Sequence, residues 1–148
     1  MRHIHDESPT VDLGLPSGTL WLIDNEPGYH TWAEALNAFG RSLPTKEQVA
    51  ELIKHCRFHY DCTCCRVVAT GPNGNRLPLP LMGAQRPGTH IDHGGRRGFI
   101  WAVSGHDEPR PYCFQFWSHG DTLMPGLLCT RSEDAEDTRY CVRCVVQP

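Results

Sequence analysis

The chain has 148 residues, 39% hydrophobic and 21% charged, which is enough to enclose one core and too apolar for a disordered segment. A net charge of −3 and a pI near 6.3, with Lys and Arg scattered, exclude the basic face that nucleic-acid binders carry. No apolar run reaches the ~18 residues a membrane helix needs, and Gly 14 with Pro 12 favour turns and short strands.

Residues 1–12 are polar and lack the apolar core of a signal peptide. Residues 1–10 are therefore expected to be a flexible tail and residues 11–148 a single domain. On this basis the chain as it stands is cytoplasmic, virion-borne or processed. Val11, Leu13 and Leu15 alternate, Pro16-Ser-Gly18 interrupts, and Leu20 to Ile23 resumes, which reads as two short strands around a turn.

Two helices follow. Thr31 and Glu34 have capping-box spacing, Trp32, Ala35, Leu36 and Phe39 form one apolar stripe, and Gly40 is placed to end the helix. Thr45 and Gln48 repeat the box, with Val49, Leu52, Ile53 and Cys56 as the stripe. Both stripes are expected to pack on one shared partner, a sheet. Beyond them, Gly71-Pro-Asn-Gly-Asn75 between apolar runs predicts a hairpin. Residues 82–98 read as a surface loop. Residues 99–103, 112–117 and 140–146 read as strands from their aromatic and β-branched content, with 127–129 a short fourth and 132–137 an exposed acidic loop.

Four ordered segments carry a family resemblance: Val11-Asp-Leu-Gly-Leu-Pro-Ser-Gly-Thr-Leu-Trp21, Arg41-Ser-Leu-Pro-Thr-Lys-Glu47, Thr70-Gly-Pro-Asn-Gly-Asn75 and Cys141-Val-Arg-Cys-Val145. Together with Gly98-Phe-Ile-Trp101 they resemble the Fibrobacter succinogenes major paralogous domain, across nearly the whole chain. The resemblance implies an α+β, C-type-lectin-like fold: two helices packed on a twisted antiparallel sheet, with N- and C-terminal strands adjacent. It also implies a usual setting on the cell surface and no well-established chemistry. The fold is shared with the variable proteins of diversity-generating retroelements, where a C-terminal sheet face carries the ligand contacts. The chain departs from the family pattern at residues 55–65, at Ala102 and Val103, and at Arg139-Tyr-Cys141. That concentration fits a diversified binding face and ordinary drift alike.

The function expected from this is a non-enzymatic ligand- or protein-binding module for adhesion or display. Its contacts are expected at Ala102, Val103, His106, Trp117, His119, Asp121 and Thr122, on the sheet face away from the helices. The partner is an unidentified protein or glycan, and a homo-oligomer is compatible with the sequence. One alternative is an assembly component of a virion or surface layer. The other is an enzyme related to formylglycine-generating oxidases, whose paired-cysteine motif is not legible here.

His55, Cys56, His59, Cys62, Cys64 and Cys65 supply enough ligands for a structural zinc, but without the paired spacing of a finger. The competing reading is disulfides or free thiols on a loop, with Cys56 buried as a small apolar residue. No other cofactor is implied. Cys141-Val-Arg-Cys144 is a Cys-x-x-Cys, but it lies in a strand-like run rather than at a helix start, so one thiol is expected in the core and the other exposed or bridged. His3, His90 and His93 read as surface residues. The acidic pairs at 107–108 and 133–137 read as solvated loops, and the calcium-binding motifs of sugar-binding lectins are absent from the sequence.

Overall fold

In a computed structural model, residues 9–88, 90–119, 122–133 and 135–148 are described, with backbone alone at 119 and 122–126. Strands β1 (Thr10–Val11) and β2 (Leu20–Leu22) pair antiparallel, with Val11 opposite Trp21. Their connection turns tightly where the Gly18 N–H donates to the Leu15 carbonyl at 3.0 Å. Gly18 sits there at φ +80, a conformation that costs a residue without Cβ little.

Helix α1 (Trp32–Phe39) starts as its capping box requires: the Thr31 hydroxyl accepts the Glu34 N–H at 3.2 Å, and the Glu34 carboxylate accepts the Thr31 N–H at 2.8 Å. Gly40 closes it at φ +44 and opens a 3₁₀ turn, Gly40–Ser42. Helix α2 (Lys46–His55) repeats the device through Thr45 and Gln48, at 3.1 and 2.9 Å.

Next comes a three-stranded meander of β3 (Arg57–Asp61), β4 (Arg66–Thr70) and β5 (Arg76–Pro80). The predicted Asn-Gly hairpin joins β4 to β5. Strand β3 was not anticipated, because Arg57-Phe-His-Tyr-Asp61 sits beside the cysteine cluster that drew the metal reading. Residues 82–98 are more than a surface loop: β6 (Ala84–Gln85) and β7 (Ile91–Asp92) pair there, and Ala84 is buried. Strands β8 (Arg97–Val103), β9 (Pro111–His119) and β10 (Thr122–Arg131) form a second antiparallel sheet, in which the expected 127–129 strand is a fragment of a longer one.

Of the strand expected at 140–146, only β11 (Val145–Val146) forms as a strand, and it pairs with β2. The rest of the segment is held on both sides by single bridges. The Trp101 N–H donates to the Cys141 carbonyl at 3.1 Å, and the Cys141 N–H donates to the Phe99 carbonyl at 3.0 Å. On the other side the Tyr140 N–H donates to the His30 carbonyl at 2.9 Å, and the Glu26 N–H donates to the Val142 carbonyl at 2.8 Å. The chain is thus α+β with two helices and mostly antiparallel sheets, and β2 lies between β1 and β11.

Alternation along the central sheet sorts the core into two layers. Ile100, Ala102, Phe114 and Phe116 pack with Val49, Leu52, Trp21 and the meander's Val67, Ala69, Leu77 and Leu79. Phe99, Trp101, Val103 and Cys113 pack with Ala35, Leu43, Tyr140, Val142 and Cys144, against which Trp32, Leu36 and Phe39 close. Helices α1 and α2 therefore serve opposite faces of the β8–β9 pair. The expectation that both cover one face is overturned. Its physical reason is the β8 sequence, in which Gly98 to Val103 is buried at every residue, as a strand covered on both faces must be.

Candidate functional site

The two-sided core decides which of the expected contact residues are accessible. Ala102 and Val103 are 0% exposed, one on each face of β8, and drop out of any contact surface. His106 is half-buried in the loop between β8 and β9, where the Gln147 amide meets its Nε2 at 3.3 Å. Burial first, then the nearby Arg41 cation, hold its pKa below the ordinary histidine value. Asp121 lies outside the described residues. His119 and Thr122 close the β9–β10 ladder as a backbone pair, and their side chains lie outside what is described.

Trp117 has an open setting at the end of the β8–β9 pair. It stands opposite Arg97 in the β8–β9 register, one rung beyond the last well-covered position, Phe99. Tyr140 stacks on Phe99 at 5.3 Å between centroids and lies 4.3 Å from Trp101, and Trp32 covers Trp101 at 5.5 Å. That aromatic cover stops short of Trp117. Instead the Arg97 guanidinium lies 5.2 Å from the centre of its ring, within cation–π range.

A groove of about 320 Å³ opens here, lined by His93, Arg96, Arg97, Trp117 and Ser118. Its floor is fixed by backbone. His93 takes φ +60, and its carbonyl accepts the Arg96 and Arg97 N–H groups, each at 2.9 Å. The Ser118 N–H donates to the Arg96 carbonyl at 3.3 Å. On the same sheet face Gln115 pairs with Leu128, which is 42% exposed. The groove offers an indole face, two guanidinium groups and an imidazole, a set that suits a ligand bearing carboxylates beside a flat apolar surface. His93, Arg96 and Arg97 lie within 82–98, a stretch whose Gly, Arg and His content gives no sign of separate elements. Counting back by twos from Trp101 through Phe99 puts Arg97 on the face of Trp117, and that signal was available.

The possible zinc set is divided. Cys62, Cys64 and Cys65 stand exposed in the turn between β3 and β4, with Cys65 at φ +49. Helix α2 ends at His55, and His59 lies in the strand that follows, so the two histidines do not share a helical face. Cys56 caps α2 and is buried at the far end of β3, roughly 20 Å along the strand from Cys62. One ion cannot bind at both ends. Burial, then the Glu51 charge, push the Cys56 thiol up to about 11. Among the described residues no three His, Cys, Asp or Glu are arranged to hold a metal.

Cys141 and Cys144 correct a further expectation, because both are buried, one in each core layer. Burial pushes their thiols to about 11 and about 12, the Glu26 charge adding to the rise at Cys144. Such thiols remain protonated at neutral pH, which is the opposite of the activated thiolate that redox chemistry uses.

An α+β domain with an aromatic and cationic groove at the uncovered end of its central sheet is the class of arrangement these residues define. No protein-family model, curated protein or solved structure matches the chain.

Proposed function

We propose that this chain is a non-enzymatic binding module of C-type-lectin-like fold, akin to the Fibrobacter succinogenes major paralogous domain, that takes an acidic protein or glycan ligand at the Trp117 groove. The supporting observation is the half-buried Trp117 beneath Arg97, with Arg96 and His93 alongside, just beyond the stretch of β8 that is buried on both faces. The core layers on either side fix the sheet, so the groove is displayed on a rigid support, which limits the ordering cost of binding.

The test is a panel of uronate-bearing glycans and acidic peptides, read by tryptophan fluorescence and calorimetry. Trp117→Ala and Arg97→Ala are each expected to weaken the best ligand by about tenfold or more, with unfolding curves unchanged. A ligand that binds both variants as it binds the parent would place recognition elsewhere. Large particles in light scattering that persist in Trp117→Ala would favour an assembly component instead.

A further inference from the structure

A second cleft, of about 240 Å³, lies between the segment after β2, the β4–β5 hairpin and the chain's last segment, and its lining includes Asp24, Asn25, Arg66, Pro78, Pro80 and Arg143. Arg143 is 0% exposed, among the largest fully buried side chains of the protein. Its Nε donates to Asn25 Oδ1 at 2.8 Å and its Nη1 to the Leu22 carbonyl at 3.3 Å. Both acceptors are neutral. Among the described residues no carboxylate comes within ion-pair distance of it. A buried guanidinium whose hydrogen-bond acceptors are all neutral is costly, and the Asp24 charge, acting from beyond ion-pair distance, offsets that cost only in part.

Arg66 lines the same cleft. Its Nε is held by Asp61 Oδ2 at 3.0 Å, which fixes the side chain and leaves both terminal nitrogens without acceptors among the described residues. The remaining charge on the lining is Asp24, exposed, outside ion-pair distance of both arginines, and the charge that acts most on Arg143. Pro78 and Pro80 add apolar ring surface.

We infer that this cleft is a site for a small oxyanion, a carboxylate or phosphate group seated between Arg143 and Arg66. The anion adds a direct charged partner to an Arg143 that has only the more distant Asp24 charge, and two guanidinium groups give it several N–H donors. Asp24 opposes it and sets a modest affinity. The site is separate from the Trp117 groove, and either can fail without the other.

Arginine Nε–Hε resonances of the whole chain at neutral pH provide the test, with inorganic phosphate, acetate and chloride titrated separately at matched ionic strength. Saturable movement of the Arg143 and Arg66 signals with phosphate or acetate, and not with chloride, supports the site, and the effective anion identifies the ligand class. Arg66→Gln, which spares the buried cation and the fold, is expected to weaken binding threefold or more, and Asp24→Asn to tighten it about threefold. Shifts that never saturate, equal shifts in chloride, or an affinity unmoved by either substitution overturn the proposal.

Discussion

Gly98→Ala tests the register on which the two core layers depend. Gly98 stands directly opposite Phe116, and a Cβ built on it would fall on ring atoms Cε2 and Cζ, with Cδ2 at 2.8 Å. Ordinary carbon contacts are ~3.5–4.0 Å, so the ring must retreat by over an ångström. Phe116 is fully buried and packs on Phe114 at 5.0 Å, which leaves it nowhere to go. Overpacking of this kind costs about 3 kcal/mol, the upper end of its range. Replacing a strand glycine by alanine otherwise favours the folded state by about 0.5–1 kcal/mol, so net destabilisation reports the clash itself. Phe116→Leu alone should cost about 1–2 kcal/mol, and the double variant should be more stable than the sum of the two by about 1–2 kcal/mol. Denaturant unfolding of the four proteins measures this cycle. A tolerated Gly98→Ala, or strict additivity, would show that residues 98 and 116 do not face each other.

Trp101→Phe removes an indole N–H that donates to the His30 carbonyl at 2.7 Å. Because that carbonyl keeps the Tyr140 N–H at 2.9 Å, the loss should stay at about 1–2 kcal/mol in the same unfolding assay. Thr45→Ala unmakes the α2 capping box and should cost about 1 kcal/mol, with Thr45→Ser restoring most of it. Iodoacetamide under native conditions should label Cys62, Cys64 and Cys65 quickly and Cys56, Cys141 and Cys144 only on unfolding, with intact mass as the readout. The buried thiols also set an alkaline limit. Their folded pKa values, about 11 to about 12, lie above the ordinary thiol value, so the stability they contribute is complete below pH ~9 and is lost as pH rises through 11–12. Thiolate absorbance should accordingly still be rising as pH passes 11, and a rise complete by pH ~10 would refute the burial of these groups.

Local chemistry was legible in the chain because it is written in adjacent residues. Both capping boxes, the Gly18 turn and the Asn-Gly hairpin follow from spacing alone. Partner choice between distant elements was not. Two helices with similar stripes look alike in sequence, and nothing in either stripe states which face of β8 it will meet. The same blindness put Ala102 and Val103 on a contact surface, since a run buried on both sides carries no alternation of polar and apolar residues to mark an outer face. Trp117 falls on the strand face opposite Phe114 and Phe116, and period-two alternation marks it as such. Of its cationic neighbours, Arg97 follows from the alternation of β8, whereas His93 and Arg96 depend on a turn with a left-handed non-glycine residue.

The pairing of Trp21 with Val145 spans almost the entire chain, and the helices and hairpins form in the interval between them. During synthesis those intermediate elements can assemble by themselves, but β2 has no partner on one edge until the ribosome has released its opposite number. Loop closure on that scale slows folding far more than it weakens the finished structure. Joining the two ends by circular permutation, with new termini placed in the 71–75 turn, would turn this late encounter into a local one and should speed refolding while leaving equilibrium stability nearly unchanged.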